Sequence, residues 1–144
     1  MRKTATRPAV RWIAIAATVI NIEIHLALAL NHWREMPYIG LLFVAGAALL
    51  GAVAIGLWLD PDGERAVAWI GGSMVSAGEI VLFVLSRTVG LPGDYRETWA
   101  ETPEDFFGLL SLLTEGIFIA CAAYSLTRQS KPILAKRQRR QQQM

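Results

Sequence analysis

Between Arg11 and Leu126 the sequence runs through four apolar blocks, Arg11 to Leu30, Tyr38 to Leu59, Ala66 to Ser86 and Phe106 to Leu126, parted by short polar stretches. Each is close to the roughly 20 residues that a helix needs to cross a hydrocarbon core. The stretch GLLFVAGAALLGAVAIGLWL, Gly40 to Leu59, has no charge or side-chain amide on any face, whereas a soluble helix of that length shows a polar stripe. The blocks are too long and too rich in Ala and Leu for barrel strands. With 53% hydrophobic residues in 144, the chain has more apolar surface than a soluble domain of its size can hide. The expected fold is therefore all-α, an up-down bundle of four membrane-spanning helices within residues 11–126, with a basic segment at 1–10 and a basic tail at 127–144.

Charge placement orients the bundle. Arg2, Lys3, Arg7 and Arg11 precede or open the first block, and Arg128, Lys131, Lys136, Arg137, Arg139 and Arg140 follow the last. The positive-inside rule puts both ends in the cytoplasm, which an even number of spans allows. The turn LDPDGER, broken by Asp60, Pro61 and Gly63, is then cytoplasmic too, and the loops NHWREMP and SRTVGLPGDYRETWAETPED lie outside. A basic start before an apolar run also suits a secretory leader cleaved after Ala27-Leu28-Ala29, but Glu23 and His25 would interrupt its apolar region. A basic tail beside a membrane rests on anionic headgroups or stays unfolded, and nucleic acid is not its partner. Cys121, the lone cysteine, allows no internal disulfide.

Local signals refine the spans. Pro37 suits the first turn of the second helix, and Trp33 and Tyr38 suit an interfacial aromatic belt. Ala48, Ala52 and Gly56 recur at intervals of four, a pattern that lets helix backbones approach closely in lipid. Gly90, Pro92 and Gly93 stop the third helix, and Thr102-Pro103-Glu104-Asp105 reads as an N-cap, a first-position proline and two first-turn acids. From Asp94 to Asp105 the loop carries five acids against one arginine, which describes either a solvated loop or a face for cations or a partner.

Three acids interrupt the spans: Glu23 in the first, Glu79 in the third and Glu115 in the fourth. Counted from the outer helix ends at about 1.5 Å per residue, all three lie about 10 to 14 Å below the outer surface. A carboxylate near a helix centre costs about 2.5 to 3.5 kcal/mol if it faces lipid, so a shared interior site is expected. No lysine or arginine shares that depth, and His25 is the nearest base; His32, Arg34 and Arg87 stand towards the outer mouth. Glu23 and His25 are about 200° apart around their helix, so they face different neighbours, whereas Asn21, His25 and His32 share a stripe. Gly72, Ser76 and Glu79 share a face, as do Gly108, Ser111 and Glu115.

The segments HLALALNHWREMPYIGLLFV, LSRTVGLPG and FGLLSLLTEG give the chain a resemblance to small uncharacterised four-helix integral membrane proteins of high-GC Gram-positive bacteria. The resemblance implies multi-pass residence in a bacterial plasma membrane and carries over no activity or site residue.

The sequence therefore points to a site for protons or a divalent metal ion built from Glu23, His25, Glu79 and Glu115, with His32, Arg34 and Arg87 at its mouth. Protonated glutamates that merely lock helices together would have the same composition. The bundle is expected to associate as a homo-oligomer or within a larger membrane complex, and the competing class is a non-catalytic accessory subunit that docks onto a larger complex through its acidic loop and basic tail. Enzymatic chemistry has little support: there is no cysteine pair, no nucleophile or phosphate-loop motif, and both histidines lie on one helix, so a monomer cannot ligate haem from two sides.

Overall fold

The computed structural model describes the backbone of residues 8–61 and 65–142, and the side chains of all of these except 104 and 130–142. Arg2, Lys3 and Arg7, the turn residues Asp62 and Gly63, and the side chains of Lys131, Lys136, Arg137, Arg139 and Arg140 thus lie outside the described residues. The described chain is helical, with α1 at Pro8–Glu35, α2 at Pro37–Trp58, α3 at Ala66–Thr88 and α4 at Pro103–Gln142. All four are long and apolar enough to cross a membrane.

Proline chemistry sets the first junction. The residue before a proline is driven out of the helical region, and Met36 is extended at φ −141°, ψ 101° while Pro37 opens α2. The expected loop NHWREMP therefore shrinks to Met36 alone, and residues 31–35 complete α1. Gly40 makes this possible, because a Cβ there would lie 2.9 Å from Trp33 Cα. At the second junction the Arg65 N–H donates to Asp60 Oδ2 at 2.7 Å. At the third, Thr102 and Asp105 cap α4 reciprocally: the Asp105 N–H donates to Thr102 Oγ1 at 3.3 Å and the Thr102 N–H to Asp105 Oδ2 at 2.9 Å. The α4 backbone stays helical well past Leu126, to Gln142, through a tail that contains Pro132 but is otherwise mostly Lys, Arg, Gln, Leu and Ala, which favour helix.

The helices close into a ring in which α1 packs on α2 and α4, and α3 packs on the same two. Its interior is divided. Towards the start of α1 and the end of α2 lies an apolar cluster of Ala14, Ile15, Val53, Leu57, Trp69, Phe118 and Ala122, with Cys121 packed against it. Towards the other end the buried residues include Asn21, His25, His32, Ser86, Arg87, Asp105, Ser111 and Glu115. The outside is apolar, with Leu30, Val67, Met74 and Val89 among its most exposed residues. A lipid solvent selects an apolar exterior and turns polar groups inward.

The Ala48, Ala52 and Gly56 edge is not the main packing face of α2, since Ala48 and Ala52 are exposed. Gly56 alone approaches a neighbour, 3.2 Å from Ala68 Cβ if it had a Cβ of its own. The inward face carries Gly40, Gly46, Ala47, Leu50, Val53 and Leu57. Close approach is decided by what the neighbour presents, here Trp33 at Gly40 and the His25 and Glu79 side chains at Gly46.

Gly72 seats the apolar cluster, because a Cβ there would meet Phe118 Cζ at 2.3 Å and Val53 Cγ1 at 2.8 Å. Gly72→Ala should therefore cost about 1–3 kcal/mol of stability through overpacking. The adjacent Gly71, which has nothing within 4 Å of its Cβ position, should accept alanine without loss, and thermal unfolding of the two variants in one detergent compares them.

Candidate functional site

The helical repeat decides which polar side chains meet. On α1, Asn21, His25, Leu28 and His32 recur at intervals of three and four and all are buried. Glu23, about 200° from His25, is exposed on the opposite side and does not join the site expected of it. The same offset separates Arg34 from His32, and Arg34 is exposed as well. On α3 and α4 the expected faces point inward: Gly72 and Ser76 are buried with Glu79 half-buried, and Gly108, Ser111 and Glu115 are all buried.

Asn21 joins the two buried acids. Its amide Nδ2 donates to Glu79 Oε2 at 3.3 Å and to Glu115 Oε1 at 3.4 Å. Ser111 Oγ lies 2.7 Å from Asn21 Oδ1 and 2.8 Å from Glu115 Oε1. A hydroxyl has one hydrogen, so it donates in only one of these contacts, and the other needs a hydrogen from its partner. A protonated Glu115 supplies it; turning the Asn21 amide over moves the requirement to Glu79, whose Oε2 would then face the amide oxygen. Either way, the contacts around Ser111 and Asn21 hold one hydrogen fewer than they could use.

His25 has the same deficit. The Asn21 carbonyl oxygen, 3.1 Å from His25 Nδ1, can only accept, so Nδ1 carries the hydrogen. In the neutral ring Nε2 then presents a lone pair to Glu79 Oε1, 3.3 Å away. That contact is close enough for attraction between opposite charges but is not aligned as a hydrogen bond, and Oε1 is left without a donor. Glu115 Oε2 is likewise buried without one. Glu79 Oε1 and Glu115 Oε2 thus both face the His25 side of the site without a hydrogen-bond donor.

A cavity of about 90 Å3 extends from His25, Glu79, Ser111 and Glu115, between the apolar side chains of Leu28, Phe43, Leu82 and Phe83, to Ser86, Arg87, Tyr95 and Glu97. Its far end is closed by the loop between α3 and α4. Gly90 and Gly93, at φ +89° and +84°, turn the loop, and the Leu91 N–H donates to the Tyr95 carbonyl at 2.8 Å. Tyr38 donates its hydroxyl hydrogen to the Pro92 carbonyl and ties the loop to α2.

Glu97 and Asp105 anchor the loop to buried Arg87. Glu97 receives Arg87, the Tyr95 hydroxyl, His32 Nε2 at 3.0 Å and Ser86 Oγ at 3.3 Å. Arg87 also reaches Asp105 Oδ1 at 3.4 Å and stacks over Phe83, 3.6 Å from its centroid. Two of the five loop acids are thus internal partners, while Asp94 and Glu101 remain exposed. Burial alone would raise the Glu97 carboxyl, but the hydrogen bonds from His32 and Tyr95 and the charge of Arg87 outweigh it and hold the group below its usual range. Burial, with the carboxylate of Glu97 beside it, pushes the Tyr95 phenol far upward, so Tyr95 remains a donor.

The structure therefore gathers His25, Glu79 and Glu115 at the floor of the cavity and Arg87 at its loop-covered end, with His32 bonded to Glu97 behind the lining, and leaves out Glu23 and Arg34. Sequence reasoning placed Asn21 on the right stripe without its bridging role, and it missed Gly46, Tyr95, Glu97 and Asp105. An acid three residues after Thr102 was the available signal for Asp105; none marked Glu97. Compared with known families, curated proteins and solved structures, the chain matches none.

Because Glu97 titrates below the free carboxylate, its contribution to loop docking is complete above the ordinary carboxylate range and is lost as pH falls through its folded value. Hydrogen exchange of residues 91–99, corrected for intrinsic rates, should be slow at pH 7 and accelerate in acid, and Glu97→Gln should be fast at both. Arg87→Leu strands two acids and should cost about 3–5 kcal/mol by analogy with other broken buried ion pairs, read as a loss of thermal stability.

Proposed function

We propose that the chain is a multi-pass protein of the bacterial plasma membrane, an up-down bundle with both termini cytoplasmic, that binds a proton or a divalent cation at His25, Glu79 and Glu115. The observation that carries this reading is the pair of inward-facing carboxylates tied through one amide, each with one oxygen left without a donor, beside the His25 imidazole. Arg11 at the start of α1 and Arg128 beyond the apolar part of α4 agree with the assigned sidedness. The cavity runs from these groups to Arg87, Tyr95 and Glu97, where the loop between α3 and α4 covers it. No catalytic role is assigned to any of these groups.

A second reading is a structural subunit of a homo-oligomer or larger membrane complex. It draws on α3, which has 17% of its apolar window buried against 33 to 50% in the other helices. Co-purification of a stoichiometric partner in mild detergent supports that reading, and a stable lone chain counts against it.

Infrared spectroscopy of the cation-free protein tests the leading reading. A protonated-carboxyl stretch should be present at neutral pH, should disappear in Glu115→Gln or Glu79→Gln at unchanged helicity, and should also disappear on loading with a divalent cation. A spectrum with no such band and no response to any cation overturns the proposal.

A further inference from the structure

The two histidines of α1 are built alike up to one difference. In each, Nδ1 is tied to the carbonyl oxygen four residues earlier, Asn21 for His25 at 3.1 Å and Leu28 for His32 at 2.8 Å. At His32 the ring completes an aligned hydrogen bond from Nε2 to Glu97 at 3.0 Å, so a proton satisfies that pair. At His25 the opposing oxygen, Glu79 Oε1, stays without a donor. Glu115, 2% exposed, also keeps one oxygen, Oε2, unpartnered. In both acids the other oxygen is held by Asn21.

We propose that His25 Nε2, Glu79 Oε1 and Glu115 Oε2 are the protein ligands of a borderline transition-metal dication of the zinc, manganese or cobalt type, with a coordination position open towards the cavity. This assignment rests on the cation-binding reading above and narrows it to a chemical class. One ligand atom from each of the three residues falls within 4.8 Å of the others. A tetrahedral site with bonds of about 2.1 Å has edges of roughly 3.4 Å, and the His25–Glu79 separation of 3.3 Å already matches this.

The supporting groups are those a metal site needs. A ligating histidine donates its other N–H to a carbonyl or carboxylate, which fixes the tautomer and aims the lone pair; His25 does so to Asn21. Asn21 and Ser111 hold the carboxylate oxygens that do not ligate. Gly46 keeps the flank open, because a Cβ there would lie 2.7 Å from Glu79 Oε1 and 2.9 Å from His25 Cδ2. Two carboxylates neutralise a dication, so the loaded site carries no net charge in a medium where uncompensated charge is costly. The imidazole nitrogen selects against calcium and magnesium, which take six or more oxygen ligands.

The test loads the full chain, in nanodiscs and freed of metal by a chelator, with Co2+ at neutral pH. One Co2+ per chain should bind, with the intense ligand-field absorption of a four- or five-coordinate ion. Equimolar Zn2+ should displace it, while Mg2+ or Ca2+ in about hundredfold excess should not. His25→Ala and Glu115→Gln should abolish the absorption, Asn21→Leu should weaken binding by about 10- to 100-fold, and Glu23→Gln should leave it unchanged. Should His25→Ala fail to fold, nitrogen hyperfine coupling in the electron-spin-echo spectrum of Mn2+ bound to the unaltered chain decides the same point, and its absence overturns the proposal. Absence of bound Co2+, or Co2+ that Mg2+ displaces, overturns it too. A protonated-carboxyl stretch that persists and depends on Glu115 would then leave a proton site standing, and loss of both signals removes the cation-binding reading with it.

Discussion

Glu79 and Glu115 lie close enough in the bundle interior to share one amide group, and the residues that hold them supply hydrogen bonds but no fixed positive charge. In an apolar medium two like charges so placed cannot both persist unmatched. The surrounding packing serves that constraint. α1 is turned so that Asn21 stands between the acids and His25 beside them. α2 offers Gly46, where a Cβ would strike Glu79 and His25. The small residues Gly72 and Gly108 let α3 and α4 approach their neighbours along the faces that carry the acids.

The mouth of the cavity meets a related constraint by a different device. There the positive charge is covalent: the Arg87 guanidinium lies among Glu97, Asp105 and the Phe83 ring. Because the loop supplies Glu97 and the first turn of α4 supplies Asp105, burying this one cation folds a segment of the chain across the end of the bundle. Tyr95 and His32 complete the coordination of Glu97. At the mouth each carboxylate thus meets a covalent cation, whereas at the floor Glu79 Oε1 and Glu115 Oε2 meet no donor.

Much of this order was legible in the residues. Block length gave the four helices, and the three- and four-residue repeats gave the inward faces of α3 and α4, because those faces carry a single acid among small residues. Thr102 and Asp105 announced the start of α4 through capping chemistry. On α1 the pattern offered two polar residues about 200° apart, and periodicity could not say which faces inward; Asn21 and His32 on the His25 stripe were the deciding companions. The alanine and glycine spacing in α2 misled because close approach depends on the partner surface, which a single helix does not encode. Glu97 was out of reach for a similar reason, since its partners come from α1, α3 and the loop itself.

The division of the interior has an electrical consequence. The apolar cluster around Trp69, Leu57 and Phe118 occupies one half of the bundle, and the cavity occupies the other. In a membrane an applied voltage falls mainly across the less polarisable half. A charge crossing the whole potential changes in energy by about 2.3 kcal/mol per 100 mV, but one entering from the loop-covered end to His25 and Glu115 crosses only the polar half. Under the proposed function, occupancy of the site from that end would be set by concentration and only weakly by membrane voltage, while passage onward through the apolar half would carry most of the voltage dependence.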